Sequence, residues 1–127
     1  MRILACISAS VQSQAVIRHA ARIALEQGAE LLALHIESHG AGTRRAPHIS
    51  EQLERNLRLA RDLGAHVTVQ HHHRVVESIL SFARDHDVRR IVVGAPRRDG
   101  WRRHFTRDIV SLLRRDNSMT IDVVSES

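Results

Sequence analysis

Residues 3–36 read ILACISASVQSQAVIRHAARIALEQGAELLALHI, and this stretch decides the fold. Its two ends, residues 3–7 and 30–36, are short apolar runs of the length of a buried strand. Between them, apolar residues recur at helical spacing as far as Gln27, and Gly28 follows, a residue that suits the left-handed end of a helix. The pattern predicts a strand, a helix and a second strand parallel to the first.

The rest of the sequence repeats this alternation. A long loop at residues 37–49 precedes a helix that we expect Ser50 to cap and that ends near Gly64. Further predicted elements are a strand at 66–70, a helix from 75 to near 87, a strand at 88–93, a short helix at 109–113 and a strand at 119–124. Alternating strands and helices predict an α/β fold, a three-layer α/β/α sandwich around a five-stranded parallel sheet with right-handed crossovers.

The turns after the first and fourth strands are the candidate binding site. In parallel α/β sheets, ligands bind beyond the carboxyl ends of the strands, at the point where the strand order reverses. We therefore predict that one crevice is lined on its two sides by residues 8–10 and residues 94–107. The second turn reads GAPRRDGWRRHFTR and is called the arginine loop below.

The arginine loop carries most of the excess positive charge. All 19 basic residues of the chain are arginines and the formal net charge is +5, while the acidic residue in this loop is Asp99 alone. Its candidate ligand-binding side chains are Arg97, Arg98, Trp101, Arg102 and Arg103. Guanidinium groups grip phosphates or the carboxylates of a partner protein, and a lone indole among them suits stacking or docking. A plain solvated loop is the alternative.

Ser8, Ser10 and Gly94 are predicted to shape the crevice. Serine hydroxyls and free N–H groups between a strand and a helix can hold a phosphate, and the helix dipole assists them. The alternative for Ser10 is a simple helix N-cap. Gly94 is expected to allow a tight turn close to a ligand.

Catalysis, metal binding and nucleic-acid binding are not expected. The sequence contains no G-x-S-x-G elbow, P-loop, dinucleotide glycine fingerprint or suitably spaced carboxylate pair, so we predict no catalytic residue. His71, His72 and His73 are consecutive, and neighbouring strand residues point to opposite faces, which argues against a metal site shared with His66. One Trp, two Phe and no Tyr leave little material for stacking on bases.

Length and composition favour a single domain over residues 1–127. No stretch approaches the roughly 20 apolar residues of a membrane helix, and the start is unlike a signal peptide, so a cytoplasmic location is expected. Cys6 is the one cysteine in the sequence and lies in an apolar run, which predicts a buried free thiol. The last strand is expected at a sheet edge, where pairing with a second copy would give a homodimer.

Two motifs make the sequence resemble a known family. The turn G94-x-x-R97-R98-x-x-W101, with C6-I7-S8-x-S10 after the first strand, resembles the universal stress protein family, in the branch found within the KdpD potassium-responsive sensor histidine kinases. The resemblance spans essentially the whole chain. It implies a flavodoxin-like five-stranded parallel fold, and a parent protein with an ATP-binding region, membrane helices and a kinase core at the cytoplasmic face of the inner membrane.

The sequence departs from the nucleotide-binding motifs of that family. ATP-binding members carry an aspartate after the first strand, where this chain has Ser8, and a G-x2-G-x9-G-[S/T] loop, of which Gly94 alone is present while Arg97, Arg107 and Asp108 take the other positions. Members that bind cyclic di-AMP carry S-x-S and, twenty residues later, F-T-A-x-Y. Ser8 and Ser10 match the first half, and LLALH at residues 31–35 keeps the alanine alone.

The resemblance therefore predicts a non-catalytic regulatory domain without a resident cofactor. This domain is expected to bind another protein or an anionic ligand. It would also contact a kinase core if the chain belongs to a longer protein. The alternative is a free-standing universal stress protein that binds ATP or a cyclic dinucleotide. The regulatory domain would act by population shift, in which a ligand favours the kinase conformation that it binds more tightly.

Overall fold

The computed structural model describes residues 1–37, 47–72, 74–95, 111 and 119–124. Within these residues the strands are β1 (Arg2–Cys6), β2 (Glu30–Glu37), β3 (His66–His71), β4 (Arg90–Gly94) and β5 (Thr120–Val124). The helices are α1 (Ser13–Gln27), α2 (Pro47–Asp62) and α3 (Val75–Asp85). The short helix predicted at 109–113 falls outside the described residues except at Ser111, as do residues 38–46 of the predicted loop.

All five strands run parallel in the order β3-β2-β1-β4-β5. The chain adds strands outward from β1 to β3 and then returns to the other side of β1 to add β4 and β5. Strand order therefore reverses between β1 and β4. The predicted five-stranded parallel sheet is confirmed, and so is the position of the last strand at a sheet edge.

Apolar side chains cover both faces of the sheet. The cluster on the face of α3 consists of Leu4, Leu32, Leu34, Ile36, Ile79, Leu80, Phe82, Ala83, Val88, Ile91 and Val93. On the opposite face, α1 covers Ile3 and Val92, and α2 brings Leu53 against Ile17 of α1. Ile3 and Leu4 are consecutive in β1 and both fully buried, so this strand is enclosed from both sides.

The ends of the helices differ in part from the prediction. Gly28 follows α1 in the left-handed conformation, with φ 61°, as expected. The expected cap at Ser50 is wrong, and so is the alternative role of Ser10 as the N-cap of α1. Gln12 occupies the cap position of α1 in place of Ser10, and α2 begins at Pro47, so that Ser50 lies inside its first turn. Proline suits that place because a first-turn N–H has no intrahelical acceptor to lose.

Asn56 of α2 is fully buried and ties this helix to the β1–α1 loop, residues 7–12. Its Nδ2 donates to the carbonyl oxygens of Ser8 and Ser10, both at 2.8 Å. Its Oδ1 accepts a hydrogen bond at 3.0 Å from Nε2 of Gln52. The amide therefore satisfies two buried backbone carbonyls that belong to a segment almost fifty residues away in sequence.

We expect Asn56→Ala to lower the free energy of unfolding by about 1–3 kcal/mol, because the carbonyl of Ser8 loses this donor while the carbonyl of Ser10 keeps the N–H of Ser13. Urea denaturation measures this change. Gln52→Ala is the matched control, because it lies on the same helix and removes the single bond to Asn56, and it should cost about 1 kcal/mol or less. Equal losses in the two variants would contradict the role assigned to Asn56.

Cys6 ends β1 and packs against the apolar cluster under α3, where it is half-buried and not fully buried as the sequence predicted. The thiol is free. Its burial raises the pKa from 9.0 to about 12, since the thiolate would lose its hydration there. The neutral thiol is therefore the form present at physiological pH.

Native protein should react slowly with a thiol-specific disulfide reagent, because the thiolate is the nucleophile. At pH 8, a pKa of about 12 in place of 9.0 lowers the thiolate fraction by about a thousandfold. The rate of thiol modification, measured with and without denaturing urea, checks this expectation. Similar rates in the two conditions would show that Cys6 is not protected.

Candidate functional site

The candidate site lies at the carboxyl ends of β1 and β4, where strand order reverses. The β1–α1 loop meets the end of β4 through Gln12, whose Nε2 donates to the carbonyl oxygen of Ala95 at 3.4 Å. Gln12 is 4% exposed, so this contact is part of the interior. The structure thus brings Ser8, Ser10 and Gly94 to the same edge of the sheet.

Three serine hydroxyls hold the β1–α1 loop together. Oγ of Ser13 accepts the N–H of Ser8 at 2.8 Å and lies 2.9 Å from Oγ of Ser8. Oγ of Ser8 accepts the N–H of Ser10 at 3.3 Å, and Oγ of Ser10 accepts the N–H of Gln12 at 3.2 Å. The loop therefore repeats one local pattern, in which a hydroxyl bonds the backbone two residues further on.

The start of α1 is largely satisfied by its own chain. The N–H groups of its first turn donate at 3.1 Å to carbonyl oxygens three residues earlier, from Ser13 to Ser10, from Gln14 to Val11 and from Ala15 to Gln12. Within residues 8–13, the described part of the chain provides no acceptor for the N–H groups of Ala9 and Val11. These two groups are the backbone donors that the loop can offer to a ligand.

His35 of β2 contacts the start of the β1–α1 loop. Its side chain is 9% exposed, and its Nδ1 lies 2.8 Å from the carbonyl oxygen of Ile7, directly before Ser8. Its Nε2 lies 2.7 Å from Oε2 of Glu37. Asn56 holds the next carbonyls of the same loop, so two buried side chains from β2 and α2 fix the path of its backbone.

Gly94 does not form the tight turn that we expected. It is the last residue of β4 and pairs in register with Val124 of β5. Its φ is not positive, and a Cβ added to it would lie 3.6 Å from Cγ2 of Val16, an ordinary van der Waals contact. Neither backbone conformation nor lack of space therefore requires glycine at this position.

The remaining predicted site residues lie outside the described residues. They are Arg97, Arg98, Trp101, Arg102 and Arg103 of the arginine loop. The described chain reaches Ala95, whose N–H donates to the carbonyl oxygen of Val124 at 2.8 Å. The strand that leads into this loop thus ends at the candidate crevice.

Sequence analysis missed four residues that build the site: Gln12, Ser13, His35 and Asn56. All four are polar residues, and the exposed fraction of each whole residue is 7% or less. A signal was present for Asn56, which lies three residues after Leu53 on the apolar side of its helix. A polar residue on such a face needs a partner, but the sequence does not say which one.

A cavity lies at the opposite edge of the sheet, at the amino ends of β1, β2 and β3. Its volume is about 230 Å³, and its lining consists of Arg2, Glu30, Leu32, His66, Thr68, Phe82 and His86. Nε of Arg2 donates to Oε2 of Glu30 at 2.8 Å, and this bond is the main reason that the pKa of Glu30 is lowered. His66 pairs with Glu30 at 3.5 Å, away from His71 and His72 at the other end of β3.

The described residues contain neither a candidate membrane helix nor a candidate metal-binding cluster. None of their helices is long and apolar enough to span a membrane. Their His, Cys, Asp and Glu side chains form no group of three that could hold a metal ion.

Comparison with curated proteins identifies similar domains in larger sensors. The sensor protein KdpD of Mycobacterium tuberculosis is 34% identical over 109 residues, which are 85% of this chain and 12% of that protein. KdpD of Clostridium acetobutylicum is 34% identical over 124 residues, which are 96% of this chain and 13% of that protein. The chain thus spans a small part of the length of these relatives.

Solved structures share the fold. A universal stress protein from Archaeoglobus fulgidus superposes with a TM-score of 0.72 at 20% identity, covering 97% of each chain. The protein from that organism in complex with dAMP gives 0.70 at 21% identity, covering 97% of this chain and 96% of that one. A universal stress protein in complex with cAMP gives 0.69 at 13% identity, covering 98% and 95%.

The family model described as the universal stress protein family matches residues 1–111. This range includes the elements from β1 to β4 and both turns of the candidate crevice. With the shared fold, the match shows that this chain belongs to the universal stress protein family.

Proposed function

We propose that this chain is a non-catalytic regulatory domain that binds an anionic ligand or an acidic surface of a partner protein at the carboxyl ends of β1 and β4. The observation that carries the proposal is the contact of Gln12 with Ala95, which sets the β1–α1 loop beside the strand that leads into the arginine loop. Guanidinium groups following Ala95 would supply the cations, and the N–H groups of Ala9 and Val11 would supply neutral donors.

The likeness to KdpD supports a role in potassium or osmotic signalling. Relatives at 34% identity are sensor proteins in which this domain is a small part. In that setting the domain would lie on the cytoplasmic side and pass its ligand state to a kinase core. A ligand would act there through its different affinity for two kinase conformations.

A free-standing nucleotide-binding protein is the second candidate function. Structural neighbours were solved in complex with cAMP and dAMP, which makes a nucleotide a candidate ligand for this chain. The serine hydroxyls at residues 8 and 10 bond the loop backbone, however, so in this chain they act first as supports for the loop. A phosphate would then be held mainly by backbone donors and arginines.

Calorimetric titration with ATP and with cyclic di-AMP tests the arginine loop. We expect the double variant Arg97→Gln/Arg98→Gln to weaken binding of the probe by about tenfold or more, since a hydrogen bond to a charged group contributes about 1.5–3 kcal/mol. The matched control is Arg55→Gln/Arg58→Gln on the exposed side of α2, which removes the same charge elsewhere. Equal weakening in both variants would reduce the effect to net charge and contradict a specific site.

A chimaera tests the sensor role. This chain matches 126 residues of Escherichia coli KdpD at 28% identity and would replace that stretch in the full-length sensor. We expect the autokinase rate of the chimaera to keep its response to potassium, and the Arg97→Gln/Arg98→Gln change to shift that response while Arg55→Gln/Arg58→Gln does not. An unresponsive chimaera that binds ATP in solution would favour the free-standing protein.

A further inference from the structure

His35 has a hydrogen-bond acceptor at each of its ring nitrogens. Nδ1 lies 2.8 Å from the carbonyl oxygen of Ile7, and a carbonyl can only accept, so the hydrogen belongs to Nδ1. Nε2 lies 2.7 Å from a carboxylate oxygen of Glu37. An ionised carboxylate also only accepts, so a second hydrogen must lie between Nε2 and Glu37.

The two distances determine how many protons the His35–Glu37 pair holds. A neutral imidazole carries one N–H, which serves one of the two acceptors, whereas both distances require a hydrogen. The second hydrogen can lie on the ring, as an imidazolium beside an ionised Glu37. It can also lie on the carboxyl group, as a protonated Glu37 beside a neutral imidazole. In both forms the pair holds one proton more than a neutral histidine and an ionised glutamate.

We propose that the proton shared by His35 and Glu37 positions the β1–α1 loop, making His35 a positioning residue whose hold on Ile7 depends on that proton. Without it, one hydrogen remains for two acceptors. The bond to the carboxylate is the stronger one because it is charge-assisted, so the bond to the carbonyl of Ile7 is lost. Ile7 directly precedes Ser8, and the loop is then held by Asn56 without His35.

Among the described residues, titratable neighbours of the pair lie at the end of β3. His71 pairs in register with Glu37 and is exposed, and the N–H of His72 donates to the carbonyl oxygen of Glu37 at 3.1 Å. The side chains that α2 turns inward near the loop, Leu53 and Asn56, carry no charge, and α1 presents the apolar Ile17. The charged residues of α2 from position 51 onward are exposed, namely Glu51, Glu54, Arg55, Arg58, Arg61 and Asp62. His71, which pairs directly with Glu37, is therefore the alternative source of a pH effect that is tested below.

Nitrogen-15 spectra of histidine-labelled protein test the proposal without any ligand. At pH 6 we expect Nδ1 of His35 to be protonated and a second proton to lie either on Nε2 or on the Glu37 carboxyl group, whose side-chain carbon-13 shift separates the two forms. As the pH is raised, the loss of one proton should share its midpoint with shifts of the backbone amide of Ser8 and the side-chain amide of Asn56. A ring with one unprotonated nitrogen beside an ionised Glu37 at pH 6, or loop signals that stay fixed while the pair titrates, would overturn the proposal.

Glu37→Gln is the decisive variant. A glutamine amide can donate to an unprotonated Nε2, so a neutral His35 keeps its bond to Ile7 and both partners are satisfied without the extra proton. We expect one protonated ring nitrogen at pH 6 and loop signals that no longer titrate above that pH. His71→Gln is the matched control and should leave the wild-type titration in place. If His71→Gln removes the loop titration and Glu37→Gln does not, His71 is the source and the proposal fails.

The consequence for binding rests on the proposed function. If the protonated loop is the form that binds, the affinity for ATP should fall by up to about tenfold one pH unit above the midpoint, where about a tenth of the pairs keep the proton. Glu37→Gln should make that affinity independent of pH. Absence of ATP binding in every variant would count against the nucleotide site, while the nitrogen-15 result would still decide the role of His35.

Discussion

Parallel pairing is the constraint on which the rest of this structure depends. Because each strand of a parallel sheet must be reached by a crossover, every strand ends at the same edge. The reversal of strand order between β1 and β4 leaves their two following turns without a helix between them. The contact between Gln12 and Ala95 is the local result of this topology, and the candidate crevice lies where the fold has placed it.

Buried polar side chains, rather than the loop sequence alone, determine the shape of the β1–α1 loop. The imidazole of His35 reaches the loop from the sheet, and the amide of Asn56 reaches it from a helix. Together they bond the carbonyl oxygens of residues 7, 8 and 10. The serine hydroxyls complete the arrangement from within. The loop is thus preorganised, which lowers the entropic cost of ordering it around a ligand.

The sequence predicted the architecture well because the features that determine it are periodic. Apolar runs and helical spacing located each described element, and the edge that carries Ser8 and Gly94 followed from topology. The features that were not predicted from the sequence are not periodic. The start of α2 at Pro47 lay in a glycine-containing stretch without a helical pattern. The partners of Asn56 and His35 lie 28 to 48 residues away in sequence, and local patterns do not encode such distances.

The anchor provided by Asn56 has a consequence for how such domains diverge. Its amide bonds carbonyl oxygens, which every residue possesses, and so it is indifferent to the side chains at positions 8 and 10. A substitution at either position would remove the hydroxyl bonds of that serine and leave the anchor from Asn56 in place. The face that the loop offers to a ligand can therefore change without the loss of its main attachment to α2.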